Sequence, residues 1–301
     1  MRVKIGVVQP KGFIGKEAEQ QPEMALKYID EGAKQGAKIL CFPEWYPGPP
    51  TGPLADITIR NLGAKAKEHS LYVIAGGLEK DEASNAFYTT HYLFSPNGKI
   101  TGFYRRTTSA GPQVYEAIFR FGKSKLVWGN ELPVFKTEYG NIGIAFCSEV
   151  YTPELPRVLA LKGADMIFLP SGGLFWTMLK TWKQLIWARA IENLVYTASC
   201  SHIYGVEDGN AMIASPEEIL AESTKEGVIT AEIDLDRSAW LRNNDAPAST
   251  FLIGTNPGKS SGLGFFNYEG QPISRRPELY QPICMSEKEL KMISIRKNTG
   301  S

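Results

Sequence analysis

Short apolar runs alternate with helical patterns along this chain, and no other feature restricts its fold as much. "VKIGVVQ", "AKILCFPE" and "LYVIAGGLE" read as strands. Between the first two, residues 17–35 place Ala18, Met24, Ala25, Tyr28, Ile29 and Ala33 at helical spacing, closed by Gly36. Residues 55–69 read as a second helix. "FYTTHYLFSPNGKITGFYRR" then reads as a hairpin turning at Pro-Asn-Gly, and "LPVFKTEYGNIGIAF" as another. A similar order follows: a helix at 153–162, the strand "ADMIFLPS", a helix at 176–193, the strand "LVYTASCS" and a further hairpin from "NAMIASPEEILAES" to "GVITAEIDLD". Strands interleaved with helices imply helices layered over sheets, an α/β fold. The recurrence points to two related halves without sequence identity that would make them a repeat.

No low-complexity linker divides the halves, so a single domain is expected over 1–245. Residues 246–301 are rich in Gly, Pro, Ser and Asn and read as a C-terminal extension packing on the body or on a partner subunit. The formal net charge is +1, with 33 basic and 32 acidic residues interspersed, which favours neither nucleic acid nor an anionic membrane as a partner. The apolar run in "MRVKIGVVQP" is too short for a secretory leader, and no stretch is long enough for a membrane span. Cys41, Cys147, Cys200 and Cys284 lack paired spacing, so mostly free thiols in a cytoplasmic protein are expected.

Two positions carry the candidate chemistry. In "GIAFCSEVYTPELPR" a strand-like run stops at Cys147, and Thr152-Pro153 reads as a helix start. A thiol at such a corner is exposed and near helix N–H groups, as a nucleophile requires, with Thr152 as the expected N-cap. The alternative is an inert core thiol. "ILCFPEW" delivers Glu44 at a strand end, where ligands meet α/β folds, and its aromatic neighbours would raise a carboxylate toward a general base. The alternative is a solvated edge glutamate. Of the three histidines, His202 could in principle serve Cys147 as a base. No cluster has metal-ligand spacing, so neither a catalytic metal nor a cofactor is expected.

Taken together, "FPEW" at Glu44, "YRR" at 104–106, "YEAIFRFG" with Glu116, "CSEVYTPELPR" at Cys147, "GADMIFLPS" ending at Ser171 and "RAIEN" at 189–193 resemble the nitrilase, or carbon-nitrogen hydrolase, superfamily. The resemblance spans Val3 to Asp236. It implies a four-layer α-β-β-α sandwich of two pseudo-equivalent halves. It also implies a Glu-Lys-Cys triad with a second glutamate: Glu44 as general base, Cys147 as nucleophile and Glu116 as the second carboxylate. Backbone N–H groups at the corner would stabilise an oxyanion, and a thioester would form and be hydrolysed. Substrate contacts would come from Trp45, Ser148, Tyr151, Ser171 and Trp176, with the aromatic residues forming an apolar wall.

One position departs from the family pattern. Its usual "YRK" reads "YRR", which places Arg106 where the lysine belongs. A guanidinium keeps its protons and offers a two-donor fork, whereas an ammonium can share a proton with a leaving amine. Ser148 follows the cysteine where true nitrilases tend to have tryptophan, so a small amide or carbamoyl substrate is expected rather than a nitrile. A homodimer or larger assembly is also expected, because Leu155, Val158 and Leu159 form an apolar face after the nucleophile. The competing expectation is a decayed relative that binds a ligand or acts as a scaffold.

Overall fold

In the computed structural model the described residues are 1–13, 15–48, 53–108, 125–173, 176–204, 209–243 and 280–284. In chain order the strands and helices are β1 (Arg2–Gln9), α1 (Gln21–Lys34), β2 (Ile39–Cys41), α2 (Asp56–Glu68), β3 (Tyr72–Asp81), β4 (Ala86–Phe94), β5 (Ile100–Arg105), β6 (Lys125–Leu126), β7 (Val134–Thr137) and β8 (Gly140–Ile144). There follow α3 (Glu154–Leu161), β9 (Met166–Ser171), α4 (Trp176–Asn193), β10 (Tyr196–Ser201), β11 (Ala211–Ala214), β12 (Ile219–Ser223), β13 (Gly227–Asp234) and α5 (Leu235–Asn243). Residues Met1–Ala239 form one compact unit. Of the expected extension at 246–301, only residues 280–284 are described, with a 3-10 turn at Gln281–Cys284. Among the described residues no helix is long and apolar enough to cross a membrane.

The described strands make two mixed sheets. One has the order β13-β1-β2-β3-β4-β5, with β6 paired to β4; the other has β7-β8-β9-β10-β11-β12. The senses match position by position. β13/β1 and β7/β8 are antiparallel. β1/β2/β3 and β8/β9/β10 are parallel. β3/β4/β5 and β10/β11/β12 are antiparallel. The recurrence seen in the sequence is therefore a repeated topology.

Side-chain alternation assigns each strand face to a layer. In β1 and β2, Val3, Ile5, Val7, Ile39 and Cys41 turn toward the second sheet and meet Ile142, Ile144, Phe168 and Ala198. Leu40 and Phe42 turn the other way, against Ala25 and Ile29 of α1 and Leu62 of α2. In β9, Met166 and Phe168 face the inter-sheet core, while Ile167 and Leu169 face Leu159 of α3 and Trp182 and Ile186 of α4. Strands buried on both faces need near-continuous apolar sequence, which is what "ILCF" and "MIFL" supply. The layers are thus helix, sheet, sheet, helix. Truncating Phe168, fully buried at the centre, to Ala should cost about 3–5 kcal/mol, measured as a fall in denaturant midpoint at unchanged slope.

Candidate active site

Three chain segments leave the sheets together. After β2 the chain turns at Pro43–Tyr46, where the Tyr46 N–H donates to the Pro43 carbonyl at 3.1 Å and Trp45 takes a left-handed φ of 66°. This turn holds the fully buried Glu44. Strand β5 alternates Tyr104 into the core with Arg105 outward, where Arg105 pairs with Glu79. Arg106 follows, its backbone tied to Thr89 and Gly129, and its side chain turns inward with 1% exposure. After β8, Cys147 begins a 3-10 turn, Cys147–Tyr151, with φ of 43°. A left-handed φ is uncommon for a non-glycine residue and aims the side chain off the strand's path.

The side chains converge. Arg106 Nη1 donates to Glu44 Oε1 at 2.7 Å in a pair with no exposure on either side chain. Its Nη2 donates to the Ser148 hydroxyl, and its Nε donates to the Thr108 carbonyl at 2.6 Å. Ser171 Oγ lies 3.2 Å from Cys147 Sγ as donor and 3.3 Å from the Gly173 carbonyl. Glu44 Oε2 has no partner in full hydrogen-bond geometry among the described residues. Gly172 lets this loop close on the site: a Cβ there would stand 2.5 Å from the Trp45 ring and 3.2 Å from Glu44 Oε2. Burial raises the Glu44 carboxyl above its ordinary value, and the Arg106 charge opposes that rise. Burial and then the Glu44 charge raise the Cys147 thiol, while Arg106 and the Ser171 bond pull it down.

The description "Carbon-nitrogen hydrolase" fits residues 4–243 of this chain. The chain belongs to the carbon-nitrogen hydrolase family. Among relatives, it is 29% identical over 234 residues to the human omega-amidase NIT2, covering 72% of this chain and 84% of that protein. It is 31% identical over 237 residues to a deaminated glutathione amidase of Synechocystis, covering 72% and 87%. The carbon-nitrogen hydrolase of Helicobacter pylori has the same fold, with a TM-score of 0.73 at 18% identity, covering 95% of this chain and 99% of that one. The protein is accordingly a hydrolase of carbon–nitrogen bonds.

The structure of this carbon-nitrogen hydrolase gathers Glu44, Trp45, Arg106, Cys147, Ser148 and Ser171. Trp45 is nearly buried, with Nε1 donating to Thr89 Oγ1 at 3.0 Å. Tyr151 is 42% exposed, near the Trp182 ring and within electrostatic reach of Cys147. Glu116 lies outside the described residues, as does the Trp176 side chain, although the backbone of Trp176 opens α4. Thr152 caps no helix N-terminus: it ends the 3-10 turn, and α3 starts after Pro153 without a side-chain cap. The corner is therefore tighter than expected, with Cys147 inside the first turn.

The thiol is also less exposed than the corner implies: Cys147 is half-buried, and burial raises it. The sequence also offered His202 as a base for such a thiol. His202 is not placed to be that base: its Nε2 bonds the Glu44 backbone carbonyl at 2.8 Å, and burial lowers it to about 4. It holds the Glu44 turn instead. Glu149 was visible in the motif but had no assigned role. It is fully buried and accepts bonds from Phe146 N, Tyr104 OH, Thr107 N, Thr107 Oγ1 and Thr108 N. For metals, Asp30, Glu68 and His69 are the described residues whose ligand atoms cluster, and the Lys65 ammonium already engages Asp30 and Glu68 at 2.6 and 3.1 Å.

The buried histidines make stability depend on acid. His91, packed edge-on against Phe146, is lowered to about 3 by burial; the Pro43 carbonyl opposes this but is not in full hydrogen-bond geometry. Unfolded histidine binds a proton near pH 6.5, whereas folded His91 and His202 resist one down to about 3 and 4. Between those values the unfolded chain holds more protons, so stability rises with pH and is lost on acidification below about 6.5. His91→Phe should flatten the urea-midpoint profile between pH 4 and 6.5 relative to wild type; an unchanged slope would contradict this account.

Proposed function

We propose that the protein is a cysteine amidase acting on small amide or carbamoyl compounds through a thioester, with release of ammonia or an amine. The observation that carries this reading is the buried Glu44–Arg106 pair, whose second carboxylate oxygen has no partner in full hydrogen-bond geometry among the described residues and lies beside a raised Cys147 thiol. That oxygen takes the thiol proton as the sulfur attacks the carbonyl carbon. The C=O bond pair moves onto oxygen, and the oxyanion is stabilised by the fixed Arg106 charge and corner N–H groups. As the tetrahedral species collapses, Glu44 returns the proton to the leaving nitrogen, the C–N bond breaks and a thioester remains. Water then gives a proton to Glu44, attacks the thioester and releases the carboxylic acid, and the thiol is regenerated.

This scheme gives the proton work to Glu44 and leaves Arg106 as a permanent cation. Glu116, in its motif, would orient the substrate. Trp45, Ser148, Tyr151, Ser171 and Trp176 would line the pocket. The names of the two amidase relatives support amides over nitriles as substrates. The same reading takes 1–245 as the catalytic body, 246–301 as an extension, and the protein as a cytoplasmic homodimer or larger assembly. Exposed Tyr151 and Ile191, with half-buried Leu155 and Val158 on α3, support assembly. Sedimentation at micromolar concentration should give a species larger than the monomer, and only monomer would refute it.

The decisive assay is ammonia or amine release from a panel of amides, carbamoyl compounds and nitriles. Wild type should turn over at least one amide or carbamoyl compound, and Cys147→Ala none. Arg106→Ala should lower turnover by on the order of a hundredfold or more, the scale of losing an oxyanion donor. Arg106→Lys should retain more activity than Arg106→Ala because a cation remains beside Glu44. Turnover that persists in Cys147→Ala would end the thioester scheme. No turnover by wild type or Arg106→Lys across the panel would favour the decayed, ligand-binding alternative.

A further inference from the structure

Glu149 sits two residues beyond the nucleophile, and the scheme above gives it no task. Its setting is unusual for a spacer. The side chain is fully buried, and all five of its partners are donors. Oε1 accepts from Thr107 N at 2.8 Å, Thr107 Oγ1 at 2.7 Å and Thr108 N at 3.1 Å. Oε2 accepts from Phe146 N at 2.6 Å and Tyr104 OH at 2.8 Å. Three of the five are backbone N–H groups, which can only donate, so both oxygens are committed as acceptors.

The donors come from two segments only. Tyr104, Thr107 and Thr108 bracket Arg106, and Phe146 precedes Cys147. Glu149 also donates its own N–H to the Phe146 carbonyl at 2.8 Å, which closes the turn that carries the thiol. The Thr108 carbonyl, whose residue Glu149 holds, is in turn the acceptor for Arg106 Nε at 2.6 Å. Two further guanidinium bonds among the described residues go to Glu44 and Ser148, and Ser148 is the neighbour of Glu149. Glu149 thus links the loop that carries the cation to the turn that carries the sulfur.

We propose that Glu149 is a positioning residue that locks the Arg106 loop against the Cys147 corner and sets a fixed negative charge close to Glu44. The proposal rests on the reading of Glu44 and Cys147 as base and nucleophile. The charge has its own consequence: it adds to burial in raising the Glu44 carboxyl, against the pull of Arg106. The other titratable groups around Glu44 among the described residues are Cys147 from the corner, His202 from the end of β10 and His91 from β4. Burial keeps both histidines neutral at pH 7, lowered to about 4 and about 3. Neither can replace the charge of Glu149.

The experiment compares Glu149→Gln with Glu149→Asp. Glu149→Gln is close in size but loses the charge and turns an amide donor toward donors. Its kcat should fall by on the order of a hundredfold, the scale of a misplacement of ~1 Å, with KM changing far less. The acid limb of its kcat/KM profile should move to lower pH, because removing a nearby negative charge eases ionisation of the Glu44–Cys147 pair. Glu149→Asp keeps the charge, so its acid limb should stay in place while kcat falls less. A wild-type kcat in Glu149→Gln, or an acid limb that does not move, would overturn the proposal. If Glu149→Gln does not fold, Tyr104→Phe combined with Thr107→Val removes two donors and leaves the charge; it should lower kcat at least tenfold at an unmoved limb, and a wild-type kcat would overturn the proposal. The pH dependence of Cys147 alkylation by iodoacetamide needs no amide, and its midpoint should move down in Glu149→Gln. Amidase activity that survives in Cys147→Ala would refute the underlying scheme, whereas an unmoved alkylation midpoint would refute the role of Glu149.

Discussion

The site is organised by one buried ion pair. Bringing a guanidinium and a carboxylate out of water costs several kcal/mol for each ion, and their attraction offsets this only with good geometry and further hydrogen bonds. Arg106 meets that condition by donating to Glu44, Ser148 and Thr108 at once. Removing either member of the pair would leave the other charge buried, a loss of about 3–5 kcal/mol in comparable cases. The pair therefore constrains its surroundings. The turn after β2, the end of β5 and the corner after β8 must all meet at one place for either charge to be tolerated.

The repeated topology explains how they meet. Glu44 follows the second parallel strand of one half, and Ser171 and Gly172 follow the equivalent strand of the other. Packing the two sheets face to face brings these ends together, so each half contributes a loop that the other half's chemistry requires. The halves have diverged where the chemistry is. One supplies the carboxylate and the cation; the other supplies the thiol, the Ser171 hydroxyl and the buried Glu149. Among the described residues the site thus holds two carboxylates against one guanidinium, and burial first, then the Glu44 charge, raise the Cys147 thiol.

Much of this was legible in the sequence because the relevant signals are local. Apolar runs such as "MIFL" are bounded by turn residues, and the order of strands and helices follows from them. Glu44 and Cys147 stood out because each ends a strand-like run, and Arg106 because it stands where the family resemblance places a lysine. Other features depend on tertiary contacts. The helix expected at 153–162 is present at Glu154–Leu161, but Thr152 is not its cap: the bonds of Glu149 to Phe146 and to the loop after β5 wind the chain into a 3-10 turn from Cys147 onward. His202 looked like a possible base by residue type; only the packing of β10 against the Glu44 turn shows its nitrogen committed to a backbone carbonyl. The rise in the Cys147 thiol likewise comes from burial and from a carboxylate 103 positions away in sequence, which no local pattern records.

The left-handed backbone at Cys147 bears on how such a chain can lose its activity. A side chain at φ of 43° carries a steric cost on the order of 1 kcal/mol or more, which glycine would not bear. Relief of that cost favours the very substitution that removes the sulfur. A cysteine there is held against a conformational bias that glycine would not feel.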